Sequence, residues 1–101
     1  MVPYAEVTAE EVKARIARGD TVYLLDVREP FEVDEWAYPI GVNIPLGELG
    51  DRLDEVPCDQ TIVVACRSGQ RSASAAKALS DAGWTAENLS GGALAWAEGD
   101  A

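Results

Sequence analysis

Thr61-Ile62-Val63-Val64-Ala65-Cys66-Arg67-Ser68-Gly69-Gln70-Arg71-Ser72 decides the fold of this chain. The run from Thr61 to Cys66 is short, β-rich and almost continuously apolar, which is how a strand buried on both faces reads. A four-residue loop follows, then a helix starting at Arg71 or Ser72 and running to about Asp81, with Gly83 just past its end. Working outward, Thr21–Val27 is a second strand of the same buried type. Thr8-Ala9-Glu10-Glu11 has the form of a capping box, and Ala9, Val12 and Ile16 make a stripe that predicts a helix over 8–18, closed by Gly19. Prolines at 30, 39 and 45 predict a mostly irregular segment over 28–45, with a strand at 41–44. Leu46, Leu49 and Leu53 share helical spacing and predict a short helix ending before Pro57. A strand at 86–89, a Gly91-Gly92 turn and a helical segment through Trp96 complete the chain. Buried strands alternating with helices predict an α/β fold, a mainly parallel central sheet with helices on both faces.

Size and composition narrow the function. With 101 residues, the chain holds one domain, expected to span 1–101. At 48% apolar residues it is an ordinary globular composition, and no apolar run approaches the roughly 18 residues that cross a bilayer. No signal peptide is visible at the N-terminus, so the cytoplasm is the expected location. There is no histidine, which excludes His-based acid–base catalysis and histidine metal sites. Two cysteines supply at most half of a four-thiolate zinc site, and neither a metal nor any other cofactor is expected. The net charge of −10 makes nucleic acid and anionic membrane poor partners, and the expected state is a monomer.

The chemistry concentrates after the third strand. A parallel sheet places Cys66 at the carboxyl end of a strand, the rim where such folds bind ligands. The loop runs into a helix N-terminus, whose free amides favour an anion, and Arg67 and Arg71 bring two positive charges. Each influence favours thiolate over thiol at Cys66. Gly69 lets successive amides turn inward as an anion-binding nest. A buried, inert strand-end cysteine is the usual state of a lone cysteine; the arginines, the glycine and the helix start argue against it here.

Cys66-Arg67-Ser68-Gly69-Gln70-Arg71-Ser72 resembles the active-site loop of rhodanese-like sulfurtransferases. Asp26-Val27-Arg28-Glu29-Pro30-Phe31-Glu32 resembles the family's first signature and Asn43-Ile44-Pro45-Leu46 the end of its second. Asn88-Leu89-Ser90-Gly91-Gly92-Ala93-Leu94-Ala95-Trp96 resembles its C-terminal one. The resemblance implies a three-layer rhodanese-like fold and a Cys66 nucleophile that carries sulfane sulfur as a persulfide. It also implies that Arg67, Ser68, Gly69, Gln70 and Arg71 cradle that persulfide, with Asp26, Arg28 and Ser72 in support. The implied donor is a small anion such as thiosulfate. The implied acceptor is a thiol, cyanide in the test tube, or an acceptor protein. One departure stands out: Trp36 and Ala37 occupy positions where relatives carry Gly-His, so the pocket wall differs there.

Other residues admit two readings. Asp26 and Arg28 either approach the loop or form a local ion pair that braces a strand end. Trp36 and Tyr38 are packing residues or an exposed aromatic docking surface. Cys58 is a plain loop cysteine or a resolving thiol, although neighbouring Asp59 disfavours its thiolate. Trp84 and Trp96 read as packing residues. Nine acidic residues against Arg52 between Glu29 and Asp59 make a solvated face or a dock for a basic protein.

Two further function classes compete. A phosphatase or arsenate reductase of related fold uses a Cys-x5-Arg loop, whereas only four residues separate Cys66 from Arg71. The tighter ring suits one sulfur better than a tetrahedral oxyanion. A non-catalytic interaction module has little reason to keep Cys66, Gly69 and Arg71 together.

Overall fold

Alternation along the buried stretch 62–66 divides its side chains between two cores. Val63 and Ala65 face one side with Leu24 and Leu89, while Ile62, Val64 and Cys66 face the other with Leu25. The computed structural model describes residues 4–99. Its strands are β1 (Ala5–Thr8), β2 (Tyr23–Asp26), β3 (Val42–Asn43), β4 (Ile62–Ala65) and β5 (Ala86–Ser90). They form one sheet in the order β1-β5-β4-β2-β3, and every pairing is parallel.

Helices cover both faces, as the buried strands require. On the first face, α1 (Ala9–Ala17) and α5 (Gly92–Gly99) contribute Ala9, Val12, Ala93 and Trp96. On the other, α3 (Leu46–Leu49) and α4 (Gln70–Asp81) contribute Leu49, Ala75, Ala76 and Leu79. Each fully buried Leu, Ile or Val side chain contributes about 1.5–3 kcal/mol, so the two cores are what hold the layers together. Among the described residues, no buried side-chain nitrogen or oxygen lacks a hydrogen-bond partner, and no helix is long and apolar enough to cross a membrane.

Strand order places the site. From β4 the chain moves to β5 on one side, whereas from β2 it moves to β3 on the other. Right-handed crossovers therefore diverge from the carboxyl ends of β2 and β4 and leave a crevice between them. Asp26 pairs in register with Ala65, so the segments that open at Val27 and at Cys66 emerge side by side.

Several local expectations change. The irregular segment contains α2 (Pro30–Glu35), because Pro30 occupies the first helical turn, where its missing amide costs nothing, and does not break a strand. The short edge strand β1 has only Val7 buried and so lacks the alternation that announces a strand. The helix drawn through Leu46, Leu49 and Leu53 divides into α3 and a 3₁₀ turn over Leu53–Glu55, with Gly47 and Gly50 weakening continuity. Thr8 caps α1 as the capping-box reading expects, its Oγ1 accepting from the Glu11 amide at 3.1 Å, while the helix itself runs Ala9–Ala17.

The start of α5 packs directly on the segment after β4. A Cβ at Gly92 (φ +54°) would lie 2.6 Å from the carbonyl oxygens of both Cys66 and Arg67. Gly92→Ala should therefore cost about 1–3 kcal/mol of strain or more, measured by chemical denaturation. Gly83→Ala is the control: it also has positive φ (+107°), but nothing lies within 4 Å of its Cβ position. The Gly92 variant should be the less stable of the two.

Candidate active site

The loop after β4 bends because Gly69 adopts a left-handed conformation (φ +99°) as the cap of α4. Its Cβ position would lie 3.2 Å from the Gly91 amide nitrogen and 3.3 Å from the Leu89 carbonyl, so a side chain is unwelcome on steric grounds too. The bend closes the chain around Cys66 Sγ. The Gly69 amide donates to the sulfur at 3.1 Å and the Ser72 amide at 3.4 Å, while Ser72 Oγ stands 3.3 Å away.

The loop's carbonyls are held outward. Cys66 O accepts from the Tyr38 hydroxyl at 2.6 Å and from the Ala93 amide at 2.9 Å. Arg67 O accepts from the Leu94 amide at 3.1 Å, and Gly69 O from Asn88 Nδ2 at 3.1 Å. Carbonyl and following amide point in opposite directions across a planar peptide. Fixing three carbonyls outward thus turns the amides of 67, 68 and 70 toward the ring's interior.

Burial pushes the Cys66 thiol up, because charge is unfavourable away from water. The Ser72 hydroxyl and the amides of Ser72, Gly69 and Ser68 outweigh it, and the net displacement is downward from the ordinary thiol value. The expected direction thus holds, and short hydrogen bonds to sulfur carry it.

The arginines divide three ways. Arg71 forms a two-pronged ion pair with Glu32 of α2, at 2.7 and 2.8 Å. Arg28 is buried, bound to Asp26 at 2.8 Å and donating to the Trp36 carbonyl at 2.9 Å. Asp26 and Arg28 therefore adopt the local ion-pair arrangement, with Asn43 Nδ2 clamping the same turn through the carbonyls of Asp26 and Arg28. Arg67 alone among the described arginines has no carboxylate partner.

Tyr38 is buried and Trp36 half-buried, with Tyr38 stacked edge-on against both Trp36 and Trp96. That arrangement excludes Tyr38 from an exposed docking surface. Trp96 is buried, and Trp84 packs on the second core while its Nε1 donates to the Val56 carbonyl. Cys58 is exposed. Among the described residues, no cluster of three or more Cys, Asp or Glu side chains is arranged to hold a metal ion.

Glu32, Tyr38, Gly92 and Asn88 shape the site without having been singled out for it from the sequence. A signal existed for Glu32: Glu29-Pro30-Phe31-Glu32 is a helix start with an acidic residue at its third position. Its carboxylate accepts from the Glu29 amide at 2.9 Å.

The family model for the rhodanese-like domain matches residues 8–99. The chain is 36% identical over 93 residues to a sulfurtransferase of Allochromatium vinosum, covering 91% of this chain and 87% of that protein. Among solved structures, a rhodanese-like domain protein from Staphylococcus aureus superposes with TM-score 0.87 at 28% identity, covering 91% and 90% of the two chains. A rhodanese-related protein from Thermoplasma volcanium gives TM-score 0.86 at 33% identity, covering 95% and 93%.

The Arg71 hydrogen bonds hold the Glu32 carboxyl down to about 2 from its ordinary 4.5, against opposition from burial. A lowered carboxyl stabilises the fold above its unfolded value and loses that contribution as pH falls through the folded one. Glu32→Gln should therefore be less stable than wild type at neutral pH. The difference should shrink between about pH 4.5 and 2 in acid-unfolding curves.

Proposed function

The chain belongs to the rhodanese-like family, whose general chemistry is sulfur transfer through a cysteine persulfide, and on that premise we propose that Cys66 is the sulfur-carrying nucleophile of a thiosulfate-type sulfurtransferase. The observation that carries the reading is the pair of amides, of Gly69 and Ser72, that converge on Cys66 Sγ, with the Ser72 hydroxyl 3.3 Å from it.

The steps follow from that geometry. The Cys66 thiolate attacks the outer sulfur of thiosulfate; the sulfur–sulfur bond of the donor breaks, and its electron pair leaves with sulfite. The product is a Cys66 persulfide whose negative charge sits on the outer sulfur. Inward amides of residues 67–71 stabilise that charge as an oxyanion hole stabilises oxygen. An acceptor nucleophile, either cyanide or a thiolate, then attacks the outer sulfur and Cys66 departs again as thiolate. No general base is needed once the thiol is ionised, which suits a chain without histidine.

Four residues between Cys66 and Arg71 make a ring fitted to sulfur, which supports this reading over phosphate ester hydrolysis. Arg67, Ser68 and Gln70 are exposed, so in this proposal they form the mouth of the loop, with Arg67 the unpaired cation that meets the anionic donor. A groove of about 490 Å³ between α2 and α5 begins at Arg67, with Phe31, Trp36 and Leu94 on its walls. Phe31 and Leu94 are 64% and 49% exposed, and we assign this groove to the thiol acceptor.

Incubation with thiosulfate should add one sulfur to Cys66, read by mass spectrometry, and cyanide should then release it as thiocyanate. Cys66→Ala should abolish both steps. Turnover by a folded Cys66→Ala protein at the wild-type rate overturns the assignment, as would Cys66-dependent hydrolysis of an aryl phosphate without sulfur loading. For the groove, Phe31→Ala combined with Leu94→Ala should raise KM for a bulky thiol acceptor several-fold, each lost apolar contact being worth about 1 kcal/mol. The rate of loading from thiosulfate should stay unchanged.

A further inference from the structure

Ser72 has one hydroxyl proton and two neighbours that want it. Its Oγ lies 3.3 Å from Cys66 Sγ and 2.6 Å from Asn88 Oδ1. Both Ser72 and Asn88 are buried, at 0% and 3% exposure, so bulk solvent does not reach their polar atoms.

The orientation of the Asn88 amide follows from its other contacts. Nδ2 donates to the Glu6 carboxylate of β1 at 3.1 and 3.2 Å, and to the Gly69 carbonyl at 3.1 Å. Both partners are acceptors only. Turning the amide over would set Oδ1 against a carboxylate and a carbonyl, so Oδ1 must face Ser72. Glu6 is itself held by the Ser90 hydroxyl at 2.6 Å. An acceptor-only atom at 2.6 Å takes the Ser72 proton and leaves the hydroxyl's lone pairs toward the sulfur.

In the neutral thiol every group is satisfied, since Cys66 S–H donates to Ser72 Oγ and Ser72 donates to Asn88. Once the thiol proton has gone to solvent, the thiolate has only acceptor capacity and draws the Ser72 proton to itself. Asn88 Oδ1 is then buried without a donor. When an outer sulfur is bound, the charge moves onto that atom, within the amide ring. Sγ then carries two covalent bonds, and the hydroxyl returns to Asn88.

We propose that Asn88 is a positioning residue that competes with Cys66 Sγ for the Ser72 hydroxyl, limiting how far the free thiolate is stabilised and favouring the sulfur-loaded cysteine over it. Other charged and titratable groups face the sulfur's surroundings from every packed element. They are Arg67 of the loop, Arg71 of α4 with Glu32 of α2, the Asp26–Arg28 pair after β2, the Tyr38 hydroxyl, and Glu6 of β1 behind Asn88. None of them shares the Ser72 proton, so the competition is separable from their fields.

The proposal takes Cys66 as the nucleophile assigned above, but its test reads the thiol without sulfur transfer. In a Cys58→Ser background, iodoacetamide alkylation of Cys66 is followed across pH for wild type, Asn88→Ala, Ser72→Ala and the double variant. Asn88→Ala should move the alkylation midpoint down. The rate below that midpoint should rise about three- to tenfold, the worth of one hydrogen bond of about 1 kcal/mol. Ser72→Ala should move the midpoint up. With Ser72 already replaced, Asn88→Ala should leave the midpoint where it is. An upward shift from Asn88→Ala alone, or a shift of the same size in both backgrounds, overturns the proposal.

Should circular dichroism show Asn88→Ala unfolded, Glu6→Gln at the exposed edge strand takes its place by loosening the hold on Nδ2. Its downward shift should be larger with Ser72 present than with Ser72→Ala; equal shifts overturn the idea. Absent sulfur loading from thiosulfate together with the expected alkylation pattern would count against the sulfurtransferase reading and leave the hydroxyl competition standing.

Discussion

The outward fixing of the loop carbonyls is the constraint on which the rest of this structure depends. A ring of inward amides is a high-energy arrangement for a polypeptide, because parallel N–H dipoles repel unless an anion sits among them. Here the opposite ends of the same peptides are restrained. Amides at the start of α5 hold the carbonyls of Cys66 and Arg67, the Tyr38 hydroxyl adds a second hold on Cys66, and the Asn88 amide takes Gly69. The anchors come from three separate parts of the chain, and Tyr38 and Ala93 sit in a core whose packing fixes them. The pre-organisation of the loop is thus inherited from the packing of α5 and the Tyr38 segment against the sheet.

The charge arrangement follows a similar economy. The chain carries a formal −10, yet its basic residues are mostly spent on carboxylates, and Arg67 is the described arginine left over at the loop's mouth. Arg71 loses much of its free charge to Glu32, and in return its guanidinium is held in place beside the loop by two short bonds. An arginine so held acts as a fixed dipole with a local reach. A small anion would therefore meet an attractive potential only close to the loop, against a repulsive background that salt screens over about 8–10 Å.

Most of the layer architecture was legible in the sequence, because buried parallel strands announce themselves by continuous apolar runs. Thr21–Val27 and Thr61–Cys66 read correctly for that reason, and so did the helix after Gly69. The closed loop around Cys66 was legible because strand end, glycine and helix start lie consecutively. What escaped notice depends on residues distant in the chain. Nothing around Tyr38 indicates that its hydroxyl will reach the carbonyl of Cys66, 28 residues onward. Asn88 opens the stretch that resembles the C-terminal signature, but its reach to Gly69 and Ser72 shows only once the sheet order sets β5 between β1 and β4. Pro30 misled in the opposite way: proline marks a helix start as readily as a break, and only Glu32 three residues into the motif distinguishes them.

The aromatic cluster behind the loop has a spectroscopic consequence. Tyr38 bridges Trp36 and Trp96 through edge-on contacts at 5.0 and 5.4 Å, and its hydroxyl ends on the backbone of Cys66. The Arg28 guanidinium lies 5.7 Å from the Trp36 ring and 5.1 Å from that of Tyr38, so both chromophores sit in a strong local field. Indole emission responds to nearby charge, and in the proposed persulfide the charge at Cys66 moves outward onto the added sulfur. On the proposed chemistry the protein would carry its own optical reporter of sulfur occupancy, joined through a tyrosine to the backbone of the residue whose sulfur is loaded.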